Sequence, residues 1–220
     1  MRTSERTIRQ ESEIQVKKIH TGIIFDMRPG MNSFYGYFAE DASLMKNVVR
    51  GDTESFARIV DRYLPLISRT SFRILCDRKD SEYVTQEVFQ RAWKNAGDYN
   101  YEMSVSEWLL KITCRLCRFR ITRRRLLWML AIRPDIYVTS APVTDSPDDY
   151  IGKKAWEIYC RASVKLTPRQ RIVFTLCELE GMTKCDVHRI TGYSRFSVRH
   201  SLFVAREKIK TELERYGTVV

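Results

Sequence analysis

The sequence predicts an all-α fold of two helical domains joined by a flexible linker, and three observations carry that prediction. Apolar residues from Leu44 onward recur at the spacing of a helix face, with no alternating stretch of the kind a half-buried strand requires and no internal repeat. Helix start and stop signals are frequent and correctly ordered. The charge is divided: residues 1–43 hold 6 basic and 6 acidic groups, 44–128 hold 17 and 10, 129–150 hold 1 and 4, and 151–220 hold 14 and 7. Two positive modules therefore flank an acidic connector. The expected divisions are an N-terminal tail (1–42), a first helical domain (43–128), the connector (129–150) and a second helical domain (151–217).

The tail shows no sustained helical period and is expected to be poorly ordered or to act as a partner-binding arm. In the first domain, Leu44, Met45, Val48 and Val49 make one apolar face, and Gly51-Asp52 breaks the chain and recaps it. The next helix points Phe56, Ile59, Val60, Tyr63, Leu64 and Ile67 inward, with a kink expected at Pro65. A turn over 76–79 leads to a third helix that buries Val84, Val88, Phe89, Ala92 and Trp93. Its other faces carry Glu82, Gln86, Glu87, Gln90 and Arg91 and are open to a partner. Residues 97–106 read as a loop, with Asp98, Asn100 and Ser104 as turn formers around Tyr99 and Tyr101. The long helix beyond it buries Trp108, Leu109, Ile112 and Leu116. Its apolar end, 126–132, is expected to be buried, in preference to serving as a docking patch.

Pro134, Pro142 and Pro147, set among Asp135, Asp145, Asp148 and Asp149, mark the flexible connector. Helical spacing returns with Ala155, Trp156, Ile158, Tyr159 and Ala162. Thr167-Pro168-Arg169-Gln170 then supplies a cap, a proline at the first helical position and a glutamine at the third, ahead of a run that Gly181 ends. Thr183 with Asp186 makes a second capping box, Gly192 suits a turn that needs positive φ, and Ser194 caps the final helix. With Val198, Leu202, Ala205 and Ile209 inward, this is a helix-turn-helix. Its second helix offers Arg195, Phe196, Arg199 and His200 to the major groove of DNA.

The first domain carries a cationic surface of its own. Lys111, Arg115, Arg118, Thr122 and Arg125 follow one another at helical steps, with Arg120, Arg123 and Arg124 beside them; residues 111–125 hold 7 basic groups and no acidic one. An ordinary solvated helix face mixes signs, so this density points to a polyanion, where each cation set on a phosphate releases counterions. Other function classes lack their residues. The longest apolar run is far short of the ~20 residues that cross a bilayer, and no secretory leader is evident, so a cytoplasmic protein is expected. The 6 cysteines are irregularly spaced and read as reduced thiols. Cys114 and Cys117 lack the second pair of a zinc ribbon, and Cys177, Cys185 and His188 make only a minor rival as a metal or redox site. No metal, no cofactor and no catalytic set is expected, hence no enzyme.

Two ordered blocks carry a resemblance. Arg50-Gly51-Asp52 through Phe56, Tyr63, Pro65 and Arg73-Ile74-Leu75, then Asp77 through Phe89 closing on Arg91-Ala92-Trp93, resemble region two of bacterial sigma factors. Leu166-Thr167-Pro168-Arg169-Gln170-Arg171, Val173-Phe174, Glu180-Gly181-Met182-Thr183 and the helix-turn-helix resemble region four. The chain is thus similar to the compact extracytoplasmic-function group, over about 43–126 and 151–216. The resemblance implies that core RNA polymerase is a partner. Its β′ clamp helices would be met by Asp80, Glu82, Gln86, Glu87, Gln90 and Arg91, and its β flap is a further implied contact. It implies that Tyr99, Tyr101, Lys111, Arg115, Arg118, Thr122, Arg123 and Arg125 handle the minus-ten element and its melted non-template strand. Thr183, Ser194, Arg195, Phe196, Ser197, Arg199 and His200 would read the minus-thirty-five duplex. An anti-sigma protein is a further implied partner.

Five positions depart from the family. Relatives usually carry an acidic residue where Tyr83 stands, an asparagine where Arg115 stands and an aspartate where Phe119 stands, and Phe196 and His200 are bulkier than usual. Arg115 keeps phosphate affinity but gives up the two-sided hydrogen bonding of an amide, so altered promoter choice is expected, or help from a second DNA-bound partner such as an activator or an RNA-guided DNA-binding effector. The rival reading is a stand-alone helix-turn-helix regulator, which leaves the 80–93 surface and the first cationic face idle.

Overall fold

A computed structural model describes residues 38–130 and 149–217. The expected tail, all but its last residues, and nearly all of the connector lie outside them. Among the described residues the fold is helical throughout: α1 (Phe38–Val49), α2 (Thr53–Leu75), α3 (Arg78–Lys94), a 3-10 turn (Ala96–Asp98), α4 (Val105–Met129), α5 (Asp149–Ser163), α6 (Pro168–Phe174) running into a π turn (Thr175–Leu179), α7 (Lys184–Thr191) and α8 (Arg195–Gly217). α1 starts at Phe38, ahead of the expected 43.

Local chemistry sets most boundaries. Asp52 caps α2, accepting from the Glu54 N–H at 3.0 Å, and Gly51 before it takes the left-handed conformation at φ 91°. Asp77 caps α3 by accepting from the Asp80 N–H at 2.8 Å. Both capping boxes form, Thr167 with Gln170 and Thr183 with Asp186, and Gly192 at φ 72° closes α7. α2 runs through Pro65 as one 23-residue helix. Two inward assignments are corrected: Val49 and Leu64 are 48% and 43% exposed, because each lies just past the edge of its apolar stripe. The end of α4 is corrected too. Leu126, Met129 and Leu130 are 50%, 79% and 61% exposed, since the helix runs on past the last residue it can pack against.

The two modules pack on each other around one continuous core. Phe72 of α2 stacks on Trp156 of α5 at 5.1 Å, and the Tyr159 hydroxyl donates to the Arg73 carbonyl at 3.1 Å. At the centre lies Glu180, its side chain 2% exposed. Its Oε2 accepts from Arg69 at 3.0 Å, and its Oε1 sits 3.2 Å from Arg73 Nη1, which donates to the Leu179 carbonyl at 2.8 Å. Burial lowers the pKa of Arg73, and the Glu180 charge opposes that shift. Arg189 of α7 pairs with Glu107 of α4 at 2.7 Å, and Arg125 donates to the Leu166 carbonyl at 2.7 Å. The second module therefore rests against both ends of the first module's basic helix, the helix-turn-helix at its start and the turn before α6 near its end.

Candidate nucleic-acid interface

The cations of α4 fall into two sets. Arg124 pairs with Asp77 at 2.7 Å and Asp80 at 2.8 Å, tying α4 to the start of α3. Arg120 lies 4.0 Å from the centre of the Tyr83 ring, a cation–π contact, and 3.7 Å from Asp80. Arg125 is held by carbonyls of the second module. Arg115, Arg118 and Arg123 are exposed, Lys111 is half-buried, and among the described residues none of the four has an acidic partner. The seven cations thus divide between inner groups that fasten the fold and outer groups open to a polyanion.

The loop before α4 separates its two tyrosines. Tyr99 is buried at 7% exposure, packs edge-on against Trp108 at 5.3 Å, and donates its hydroxyl to the Met103 carbonyl at 2.5 Å. Burial raises its pKa to about 12. Its ring has no open face for a base. Tyr101, 42% exposed and 4.9 Å from Tyr99, remains available. The loop is braced by Asn100, which accepts from the Glu102 N–H at 2.9 Å, and by Glu107, which accepts from the Ser104 N–H at 3.1 Å.

On α3, Glu82, Gln86, Gln90 and Arg91 are exposed and Glu87 is half-exposed, opposite buried Val84, Val88 and Ala92. The Glu87–Arg91 pair at 2.7 Å orders part of this face. Asp80 is set apart from it, because its carboxylate is directed to Arg124 and Arg120. Tyr83, 50% exposed, borders the face and braces Arg120.

In the second module, Val187, Ile190, Val198, Leu202 and Ala205 bury the inner sides of α7 and α8. His188 Nδ1 donates to the Tyr193 carbonyl at 2.6 Å and fixes the turn, and the Ser194 hydroxyl accepts from the Ser197 N–H at 3.2 Å. Arg195, Phe196, Arg199 and His200 all point outward. Phe196 and His200 stack nearly parallel, 6.2 Å apart. Thr183 and Ser194 serve first as caps. A groove of about 430 Å³ on this face is lined by Lys184, Phe196, Arg199, His200, Leu202, Phe203 and Arg206. Phe203 and Arg206 were not among the sequence candidates, although Phe203 follows Phe196 by two turns and so shares its face.

Cys114 and Cys117 are buried in α4, and burial raises both thiols, Cys114 to about 12. Among the described residues no three His, Cys, Asp or Glu side chains gather as metal ligands would, and no helix is long and apolar enough to cross a membrane.

Comparison with known proteins agrees with this geometry. Residues 59–126, from within α2 to near the end of α4, match the family Sigma-70 region 2. The chain is similar to the ECF RNA polymerase sigma factor SigW of Bacillus subtilis, with 25% identity over 176 residues covering 77% of this chain and 94% of the relative. It is also similar to the ECF RNA polymerase sigma factor SigM of Mycobacterium tuberculosis, with 26% identity covering 82% and 88%, and to the RNA polymerase sigma-H factor of Pseudomonas aeruginosa, with 24% covering 80% and 94%. Its fold resembles CnrH, solved in complex with the cytosolic domain of CnrY, at a TM-score of 0.58 and 19% identity over 80% of this chain and 97% of that one.

Proposed function

The chain belongs to the extracytoplasmic-function group of the sigma-70 family, the alternative sigma factors that direct RNA polymerase to promoters, and from that premise we propose how its own residues divide the work. The observation that carries the proposal is the presence, in one chain, of an acid-and-amide helix face beside two separate cationic surfaces. Glu82, Gln86, Glu87, Gln90 and Arg91 meet the β′ clamp helices of core polymerase. Asp80 supports that face from within by holding Arg124 and Arg120.

Tyr101, Lys111, Arg115, Arg118, Thr122 and Arg123 handle the minus-ten element as it melts. Tyr99 positions the loop from inside. Arg195, Phe196, Ser197, Arg199 and His200 read the minus-thirty-five duplex from α8, on a helix that Thr183 and Ser194 orient through their caps; the same module meets the β flap. The protein gives an enzyme its promoter specificity and is not itself an enzyme, and it works in the bacterial cytoplasm with polymerase. An anti-sigma protein is a fitting partner, in line with the neighbour CnrH, which is seen with a cytosolic domain of a second protein.

Arg115 places a charge where base-edge reading would use an amide, and a guanidinium among Arg118 and Arg123 grips phosphate more than sequence. Site choice therefore draws on a second DNA-bound partner, an activator or an RNA-guided effector. Run-off transcription with core polymerase alone, over a spread of promoters, tests this. Weak, unselective initiation that rises with a recruiting partner is the expected result; strong and selective initiation without one contradicts it.

A further inference from the structure

We propose that Phe119 is a base-stacking residue, a ring that receives an unpaired base of the opened strand. The inference deepens the reading above and rests on it. Phe119 is 63% exposed, on the side of α4 opposite buried Cys117 and Ile121. Well over half of its surface faces solvent, so most of the ring is left open to a ligand.

Its surroundings are cationic on every side. Arg115 lies one turn before it and Arg123 one turn after, about 6 Å along the axis each way. Arg118 is adjacent, and all three are exposed with no acidic partner among the described residues. No acidic residue occurs anywhere in 111–125. A phenylalanine has no hydrogen-bonding group with which to read a duplex edge, but its face matches the face of any base. Cations before and after the ring hold a strand's phosphates while the ring takes the base between them. This pairing of a positive track with an aromatic platform is how single strands are gripped without sequence preference. Tyr101 offers a second exposed ring just before α4, whereas Tyr99 is closed off inside the loop.

A duplex contact would ask less of the residue: a ring edge can touch a thymine methyl, but that leaves both ring faces in water. A protein partner would need acidic groups to meet Arg115, Arg118 and Arg123. Both alternatives give distinct results in the same experiment.

The test uses the full chain joined to bacterial core RNA polymerase and fork-junction DNA probes with 2-aminopurine at successive non-template positions. Phe119 stacking predicts fluorescence quenching at one unpaired position. Phe119→Ala removes that quenching and weakens the single-stranded probe about tenfold, Phe119→Trp restores both, and binding to core polymerase and to fully paired DNA stays as in the unaltered chain. Unchanged quenching and affinity in Phe119→Ala overturn the inference. So does an equal loss on fully paired DNA, which assigns the ring to the duplex, and so does a loss of protein binding. If the unaltered chain fails to join polymerase, the sigma-factor reading itself falls, which is a separate and visible outcome.

Discussion

Glu180 holds the two modules together at the scale of a single side chain. Its carboxylate is buried between Arg69 and Arg73, and Arg73 is itself only 8% exposed in its side chain. An isolated buried guanidinium is costly, so removing one partner of such a group costs more than the pair contributes. Glu180→Ala is expected to lower unfolding free energy by about 3 kcal/mol, the low end of the range for a broken buried pair, because Arg69 remains partly hydrated. Urea unfolding measures it. A loss under ~0.5 kcal/mol, the level of an ordinary surface substitution, would mean that the pair is replaced by water or by a shifted side chain.

At the scale of the helix, α4 separates fastening cations from binding cations, and substitution should separate them too. Arg124→Ala removes the links to Asp77 and Asp80 and should lower thermal stability with little change in the salt dependence of DNA binding by the holoenzyme. Replacing Arg115, Arg118 and Arg123 with alanine should leave stability unchanged and reduce the slope of log affinity against log salt by roughly 2 to 3, at about 0.7 to 0.9 per phosphate contact. A salt-dependence titration beside a melting curve reads both. The sequence marked this helix well, since its period and its unbroken positive charge are local signals. It could not divide the cations, because the carboxylates that claim Arg120 and Arg124 come from Asp80 of α3 and its N-cap Asp77, some forty residues earlier. Caps were legible for the same local reason: Asp52, Thr167, Thr183 and Gly192 each act within four residues. Tyr99 and Tyr101 looked equivalent because they differ only in tertiary packing, and the exposed end of α4 looked like core because length and hydrophobicity do not reveal where a neighbour stops. Glu180, more than a hundred residues from Arg69, left no periodic trace.

At the scale of the molecule, the docked modules and the proposed task require different arrangements. Elements ten and thirty-five positions upstream lie about 25 base pairs apart, roughly 85 Å at 3.4 Å per step. The described residues, packed around one core, make a body with a radius of gyration of about 15 Å. The modules as packed cannot occupy both elements. Occupying both would require Glu180, Arg189 and Arg125 to release their partners across the module interface. Under the proposed function, polymerase bound to the α3 face would be the agent of that release. The most direct test of the whole account is co-elution of the purified chain with bacterial core RNA polymerase, alone and with charges reversed at Glu82, Glu87 and Arg91. The account predicts a stable complex for the unaltered chain and none for the reversed one, with both proteins folded. No complex with the unaltered chain, while duplex DNA binding persists, would contradict it and leave a helix-turn-helix regulator.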